Sequence, residues 1–225
     1  MKKSRIMNSM WPESCNLFWS GGIDSTVLLI SMLSQRVAVH PVWVEVNASP
    51  AAMEHEHEAR ERIIAALLPG WRPFLMPERR FAVRDYYRVF TEVRLNLATM
   101  GINTVTRIPR QAAQGYIRWN HVALLSIARE IGPTVSGICQ QQQISRMPEE
   151  RRVAEERGLL MPIADWTKFQ VLDEAARLGT LEMLRETWSC PAPTPDGPCR
   201  RPICIWCADR AKLDQRLVER ETKSV

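Results

Sequence analysis

Residues 18–26 read Phe18-Trp19-Ser20-Gly21-Gly22-Ile23-Asp24-Ser25-Thr26. Just upstream, residues 15–19 (Cys-Asn-Leu-Phe-Trp) read as a short buried strand. Just downstream, residues 23–34 read as a mostly apolar helix. Two glycines at such a strand-to-helix turn let the backbone bend sharply and approach a ligand with no Cβ in the way. The helix N-terminus adds unpaired N–H groups and the positive end of a dipole, which together favour an anion. Ser20, Ser25 and Thr26 contribute hydroxyls. A carboxylate at Asp24 suits a phosphate ligand when a Mg²⁺ ion bridges the two, so Mg–ATP is a better expectation than bare phosphate. No Gly-Lys-Ser/Thr follows, which excludes a Walker loop, and the G-x-G-x-x-G spacing of dinucleotide sites is absent. The plain alternative is a Ser/Asp-capped helix after a glycine turn.

The flanking pattern alternates strand and helix. Residues 37–46 read as a second strand, weakened by Pro41, which cannot donate to a ladder. Residues 51–68 read as an amphipathic helix stopped by Pro69-Gly70, and 72–76 as a third short strand. Helices are expected over 82–97 and 110–131, then a fourth strand over 134–139. Residues 140–157 read as a polar stretch, after which 159–163 lead into a helix from Thr167 to about Gly179. A Pro- and Cys-rich loop over 190–206 precedes a charged helix over about 207–221. The alternation through residue 139 predicts an α/β fold with a doubly wound parallel sheet.

At 225 residues the chain makes one or two domains, one being the better expectation. With 45% hydrophobic and 24% charged residues it reads as a folded globular protein, which argues against global disorder. No apolar run reaches about 18 residues, so no membrane span is expected, and a cytoplasmic location is. The net charge is +5, with 25 of the 30 basic residues arginine. Arginine forms bidentate bonds to phosphate and carboxylate, yet a solvated basic surface gives the same composition.

Four of the six cysteines, Cys190, Cys199, Cys204 and Cys207, fall within 18 residues, spaced C-x8-C-x4-C-x2-C. Four thiolates on short loops suit a closed tetrahedral Zn²⁺ site of structural type. Buried thiols without metal are the alternative. The segment Glu54-His55-Glu56-His57-Glu58 reads as a solvated helix face; its two histidines, at i and i+2, do not share one face as metal ligands would.

The string from Phe18 to Thr26 resembles the PP-loop of the ATP pyrophosphatase superfamily, whose members transfer AMP to an oxygen of the substrate before a nitrogen or sulfur nucleophile displaces it. The C-terminal segment is similar to the end of the 7-cyano-7-deazaguanine (preQ0) synthase family, called QueC: Thr187-Trp188-Ser189-Cys190, then Cys199, Cys204, Cys207 and Arg210. Met161-Pro162-Ile163 and Thr167-Lys168 resemble that family's Pro-Leu…Thr-Lys segment. The resemblance implies a PP-loop, adenine nucleotide alpha hydrolase-like domain over 1–186 and a zinc-binding segment over 187–225 packed on it. It implies an ATP-dependent carbon–nitrogen ligase that adenylates and amidates a carboxylate, turning 7-carboxy-7-deazaguanine into preQ0. Residues 18–26 would hold ATP, Ser20, Asp24, Ser25 and Lys168 would serve catalysis, and Arg110 would contact substrate. ATP, Mg and Zn are the implied cofactors. Small-molecule carboxylate and ammonia are the implied partners, a homodimer is left open, and neither membrane nor nucleic acid is expected.

The middle of the chain departs from the family. Ile108-Pro109-Arg110-Gln111 stands where the family has Pro-Gly-Arg-Asn, and Gln140 to Gln143 follow the fourth strand where the family has an acidic substrate-holding segment. These departures bear on which acid is used. A diverged enzyme adenylating another acid, such as a protein terminus in a defence system, and a zinc-containing nucleic-acid-binding module are the alternatives.

Overall fold

The computed structural model describes residues 11–45, 50–82, 123–137, 148–190, 198 and 205–223. Five strands form one sheet: β1 (Ser14–Phe18), β2 (Ala38–Glu45), β3 (Arg79–Ala82), β4 (Thr134–Ser136) and β5 (Leu159–Leu160). Every pairing is parallel, and the order is β3-β2-β1-β4-β5. The helices are α1 (Ile23–Ser34), α2 (Pro50–Ala66), α3 (123–131), α4 (Pro148–Glu156), α5 (Lys168–Arg177) and α6 (Ile205–Lys223), with 3-10 turns at Arg72–Phe74 and Glu182–Glu186.

Alternate strand residues divide the core between the two faces, as the two-residue period of a strand requires. Cys15, Leu17, Val39 and Val135 pack with α1, with Ile63 of α2, Val171 and Leu172 of α5, and Leu213 and Leu217 of α6. Phe18 and Val42 pack on the other side with Ile127 and Ala128 of α3, Ala154 of α4, Leu159 and Met161. Helices therefore cover both faces, the arrangement that makes all-parallel strands nearly continuously apolar. Burying one large aliphatic side chain contributes about 1.5–3 kcal/mol, and α1, buried from Ile23 to Leu33 apart from Asp24, carries the largest share.

Three expectations need correction. The third strand is Arg79–Ala82, whereas residues 72–76 form a 3-10 turn and a single parallel bridge from Leu75 to Val39. Between Val39 and Val42 there are three steps on β2, but between their partners Leu75 and Arg79 there are four. The extra residue lies opposite the stretch His40–Pro41. By strand alternation Pro41 faces that side, because Val42 accepts from Trp19 across β1 while Val39 accepts from Met76. The missing proline N–H thus falls where the neighbouring chain leaves the ladder, and Pro41 is accommodated inside the sheet. Leu159–Leu160 forms a fifth strand, too short to show a period. Within the stretch read as polar, Pro148–Glu156 is a helix, braced by the i,i+4 pairs Arg151–Glu155 and Arg152–Glu156.

The strand order reverses at β1, between β2 and β4. A crevice opens outside the carboxyl ends of the strands at such a switch point, and residues 19–22 leave β1 there.

Candidate functional site

The turn from β1 to α1 is built as the glycines predict. Gly21 has φ +79°, in the left-handed region where an L side chain is strained. A Cβ there would also lie 3.1 Å from Arg60 Cγ and 3.2 Å from the Glu56 carbonyl oxygen, so α2 packs directly on the loop. Gly22 is the N-cap of α1, with no side chain capping it. Its N–H donates to Ser20 Oγ at 3.3 Å, and Ser25 Oγ donates back to the Gly22 carbonyl at 3.3 Å. Ser20 is exposed, Gly22 half-buried and Ser25 buried.

Across the switch point, Gly137 follows β4 against the first turn of α1. A Cβ on it would stand 2.8 Å from Ser25 N and 3.0 Å from Ser25 Cα. These are backbone atoms, so only glycine lets β4 come this close. The sequence placed Gly137 within a fourth strand over 134–139, whereas the strand ends at Ser136; the contact of Gly137 with α1 depends on the fold.

Asp24 and Lys168, 144 residues apart, meet at the mouth of the turn. Lys168 Nζ donates to both carboxylate oxygens of Asp24, at 2.5 and 2.6 Å. Lys168 opens α5, whose start is fixed by a capping box between Thr167 and Gln170. The lysine is 3% exposed and the aspartate 19%. The structure therefore brings together the two charged residues singled out from the sequence, and it binds them to each other. The N-termini of α1 and α5 converge on this pair.

Other residues of the string face inward. Trp19 Nε1 donates to Thr26 Oγ1 at 3.1 Å, and both side chains are in the core. Phe18 and Ile23 are buried as well. Their contribution is to fix the turn.

The segment Glu54–Glu58 of α2, read from sequence as a solvated face, is partly interior at Glu56, and Arg60 one turn on is buried. Trp43 Nε1 donates to Glu56 Oε2 at 3.2 Å, and the guanidinium of Arg60 lies 4.4 Å over the Trp43 ring. Arg60 Nε donates to Glu78 at 2.9 Å, and its two terminal nitrogens are buried without a hydrogen-bond partner among the described residues. Burial pushes the Glu56 carboxyl above its ordinary value, against the opposing pull of Trp43 and Arg60. Burial likewise lowers the Arg60 guanidinium, opposed by Glu78 and Glu56. No sequence signal distinguished Arg60 from a surface arginine.

Trp188 and Ser189 flank the turn from the C-terminal side. The Trp188 N–H donates to the Gly21 carbonyl at 3.0 Å, and the position of a Cβ on Gly22 is 3.6 Å from Ser189 Oγ. Arg210 of α6 donates to the carbonyls of Leu184, Thr187 and Arg185, tying the preceding turn to α6. Its guanidinium is lowered chiefly by burial. Of the four cysteines assigned to zinc, Cys190 is buried and Cys207 half-buried. Cys199 and Cys204 lie outside the described residues, as do Arg110 and Gln140 to Gln143. Among the described residues no three metal-ligating side chains come together.

A second opening, about 890 Å³ in volume, lies near the start of β1, where Trp11, Ser14, Asn16, Pro133 and Arg79 line it. It does not include the glycine turn. No described helix is long and apolar enough to cross a membrane.

No family profile matches the sequence, and no curated protein sequence does. Among solved structures, a 4-thiouridine synthetase in complex with RNA and bound ATP is 22% identical, with a TM-score of 0.45. The match covers 90% of this chain and 50% of that one, so the chain spans about half the length of the structure it resembles. A likeness of that size fixes neither family nor function.

Proposed function

We propose that this protein is an ATP-dependent ligase of the PP-loop type, which adenylates a carboxylate and amidates it. The observation that carries this reading is the convergence at the switch point. A glycine turn with Gly21 in the left-handed region, the N-terminus of α1 and the Lys168–Asp24 pair share one crevice end. That combination suits a polyphosphate: backbone N–H groups and two helix dipoles favour the anion, and Lys168 offers charge to a leaving pyrophosphate. Asp24 offers carboxylate oxygens to a Mg²⁺ ion that arrives with the nucleotide, which is consistent with hard-cation chemistry. Its engagement with Lys168 implies that nucleotide binding redistributes that ion pair, the phosphates taking over the ammonium.

In the proposed reaction a carboxylate oxygen of the acid attacks the α-phosphorus of ATP and pyrophosphate leaves. Ammonia then attacks the acyl carbon, AMP departs, and the amide forms with loss of a proton. Conversion of that amide to a nitrile needs a second ATP: the amide oxygen attacks its α-phosphorus, pyrophosphate leaves, and AMP departs as the C≡N bond forms with loss of the N–H protons. Ser20, Ser25 and Lys168 would hold and orient the phosphates and Asp24 the Mg²⁺ that accompanies them, with no covalent enzyme intermediate.

The acid we propose first is 7-carboxy-7-deazaguanine, giving preQ0 in deazapurine synthesis. Support comes from the sequence at the two ends of the chain, and Arg110 is the proposed substrate contact. Cys190, Cys199, Cys204 and Cys207 would hold a structural zinc; an all-thiolate donor set suits that ion and leaves no open catalytic position. The test is mass spectrometry of a reaction containing the protein, Mg–ATP, ammonium and 7-carboxy-7-deazaguanine. PreQ0 with AMP is expected. AMP without preQ0 would transfer the chemistry to another acid, and no nucleotide turnover with any acid would remove the ligase reading.

A further inference from the structure

We infer that Trp188 is a positioning residue that straps the glycine turn from the C-terminal side, with His55 as its other anchor. Its link to nucleotide binding rests on the reading of the turn as a nucleotide site.

Three contacts meet on Trp188. Its backbone N–H donates to the Gly21 carbonyl at 3.0 Å. Its indole stacks on the His55 ring of α2, with centroids 4.2 Å apart and planes inclined by 28°. Its indole Nε1 donates to the Cys190 carbonyl at 2.9 Å. One residue therefore joins the phosphate-facing turn, the helix packed beneath that turn and the first cysteine of the C-terminal cluster. The Trp188 carbonyl oxygen also lies 3.5 Å from the position of a Cβ on Gly22, so the strap covers both glycines.

The turn needs such a strap. Gly21 and Gly22 have more backbone freedom than any other residue pair, and holding them in one conformation costs correspondingly more entropy. No side chain caps α1 at Gly22. Gly21 is held from below by Ala59, Arg60 and Glu56 of α2, and its carbonyl is held by Trp188. The segment on which Trp188 sits is itself fixed, because Arg210 ties the carbonyls of residues 184, 185 and 187 to α6. Whatever orders Cys190 is consequently felt at Gly21, through the indole and the backbone of one tryptophan.

The experiment compares Trp188→Ala, Trp188→Phe and His55→Ala with the wild-type full chain by two readouts. The first is hydrogen–deuterium exchange without nucleotide. The peptide covering residues 18–26 is expected to exchange about fivefold faster or more in Trp188→Ala and His55→Ala, the factor that loss of one aromatic stack implies. Exchange in β2 and α6 is expected to stay at the wild-type rate. Trp188→Phe keeps the stack and is expected to restore most of the protection. The second readout is Mg–ATP affinity, expected to weaken about tenfold in the two alanine variants and little in Trp188→Phe. Unchanged exchange over residues 18–26 in both alanine variants would overturn the inference. Faster exchange of that peptide in a protein whose wild type binds no nucleotide would uphold the strap and remove the nucleotide reading instead. If Trp188→Ala fails to fold, His55→Ala decides alone, since His55 is one-third exposed on α2 and its removal leaves the core intact.

Discussion

Replacing Lys168 by methionine keeps the apolar stem and removes the ammonium. In the native protein that ammonium is almost wholly out of water, at 3% exposure, and it donates to both oxygens of Asp24. Removing one partner of a buried pair costs about 3–5 kcal/mol, because the remaining charge has lost its compensation. Asp24 keeps 19% exposure and sits in the first turn of α1, where the helix dipole favours a carboxylate by about 0.3–1 kcal/mol. The lower end of the range therefore applies, and Lys168→Met is expected to cost about 3 kcal/mol. For a chain of this size that is a fall in melting temperature of about 6–12 °C.

Asp24→Asn leaves the more deeply buried charge behind and is expected to cost at least as much. The double variant Asp24→Asn/Lys168→Met removes both charges, and its loss is expected to fall short of the sum of the singles by about 1.5 kcal/mol or more. Urea unfolding of the four proteins at pH 7 closes the cycle. Additivity within about 0.5 kcal/mol would show that the two groups do not interact, and would refute the assignment of Lys168 to the mouth of the turn.

Gly137→Ala would place a methyl against the backbone of Ser25 and is expected to destabilise by about 1–3 kcal/mol, read as a lower urea midpoint; a neutral result would show that β4 and α1 separate easily. Burial raises the Glu56 carboxyl above 4.5, so its ionisation at neutral pH opposes folding. The native state then holds the proton more tightly than the unfolded state, and stability from this group grows as pH falls through the raised value. Glu56→Gln is thus expected to melt higher than wild type at pH 7, with the advantage disappearing below pH 4.5; a lower melting temperature at pH 7 would contradict this. Burial pushes the Cys15 thiol up to about 11, so native protein at pH 8 should carry roughly one thiolate per thousand at that site and resist alkylation there until unfolded. Rapid labelling of Cys15 in native protein, located by peptide mapping, would show that β1 is more open than described.

The glycine turn was legible because its residue types carry their own reasons: two glycines for the bend, hydroxyls and a carboxylate at the helix start. The strand and helix on either side followed from unbroken apolar runs, as in residues 15–19 and 23–34. The third strand was missed by a few residues because Arg79-Arg80-Phe81-Ala82 is short and half polar, whereas Pro73-Phe74-Leu75 is apolar yet contributes only one bridge. Helix α4 was hidden because its polar surface is stabilised by ion pairs between Arg151 and Glu155 and between Arg152 and Glu156, not by an apolar stripe. Lys168 could be nominated by resemblance, but its bond to Asp24 spans 144 positions and follows from topology alone. The same holds for Arg60 beneath Gly21 and Gly137 against Ser25. One hydroxyl of the string turns inward: Thr26 Oγ1 accepts a buried indole N–H from Trp19, a contact that no local pattern announces.

The central claim is that the crevice outside β1 and β4 cleaves ATP between its α- and β-phosphates. The most direct measurement is ³¹P NMR of Mg–ATP incubated with the protein, ammonium and 7-carboxy-7-deazaguanine, alongside Lys168→Met. AMP and pyrophosphate from the wild type, with loss of at least tenfold in the variant, are expected for one lost charge at a phosphate. ADP and inorganic phosphate as the products, or no bound nucleotide at millimolar ATP, would contradict it.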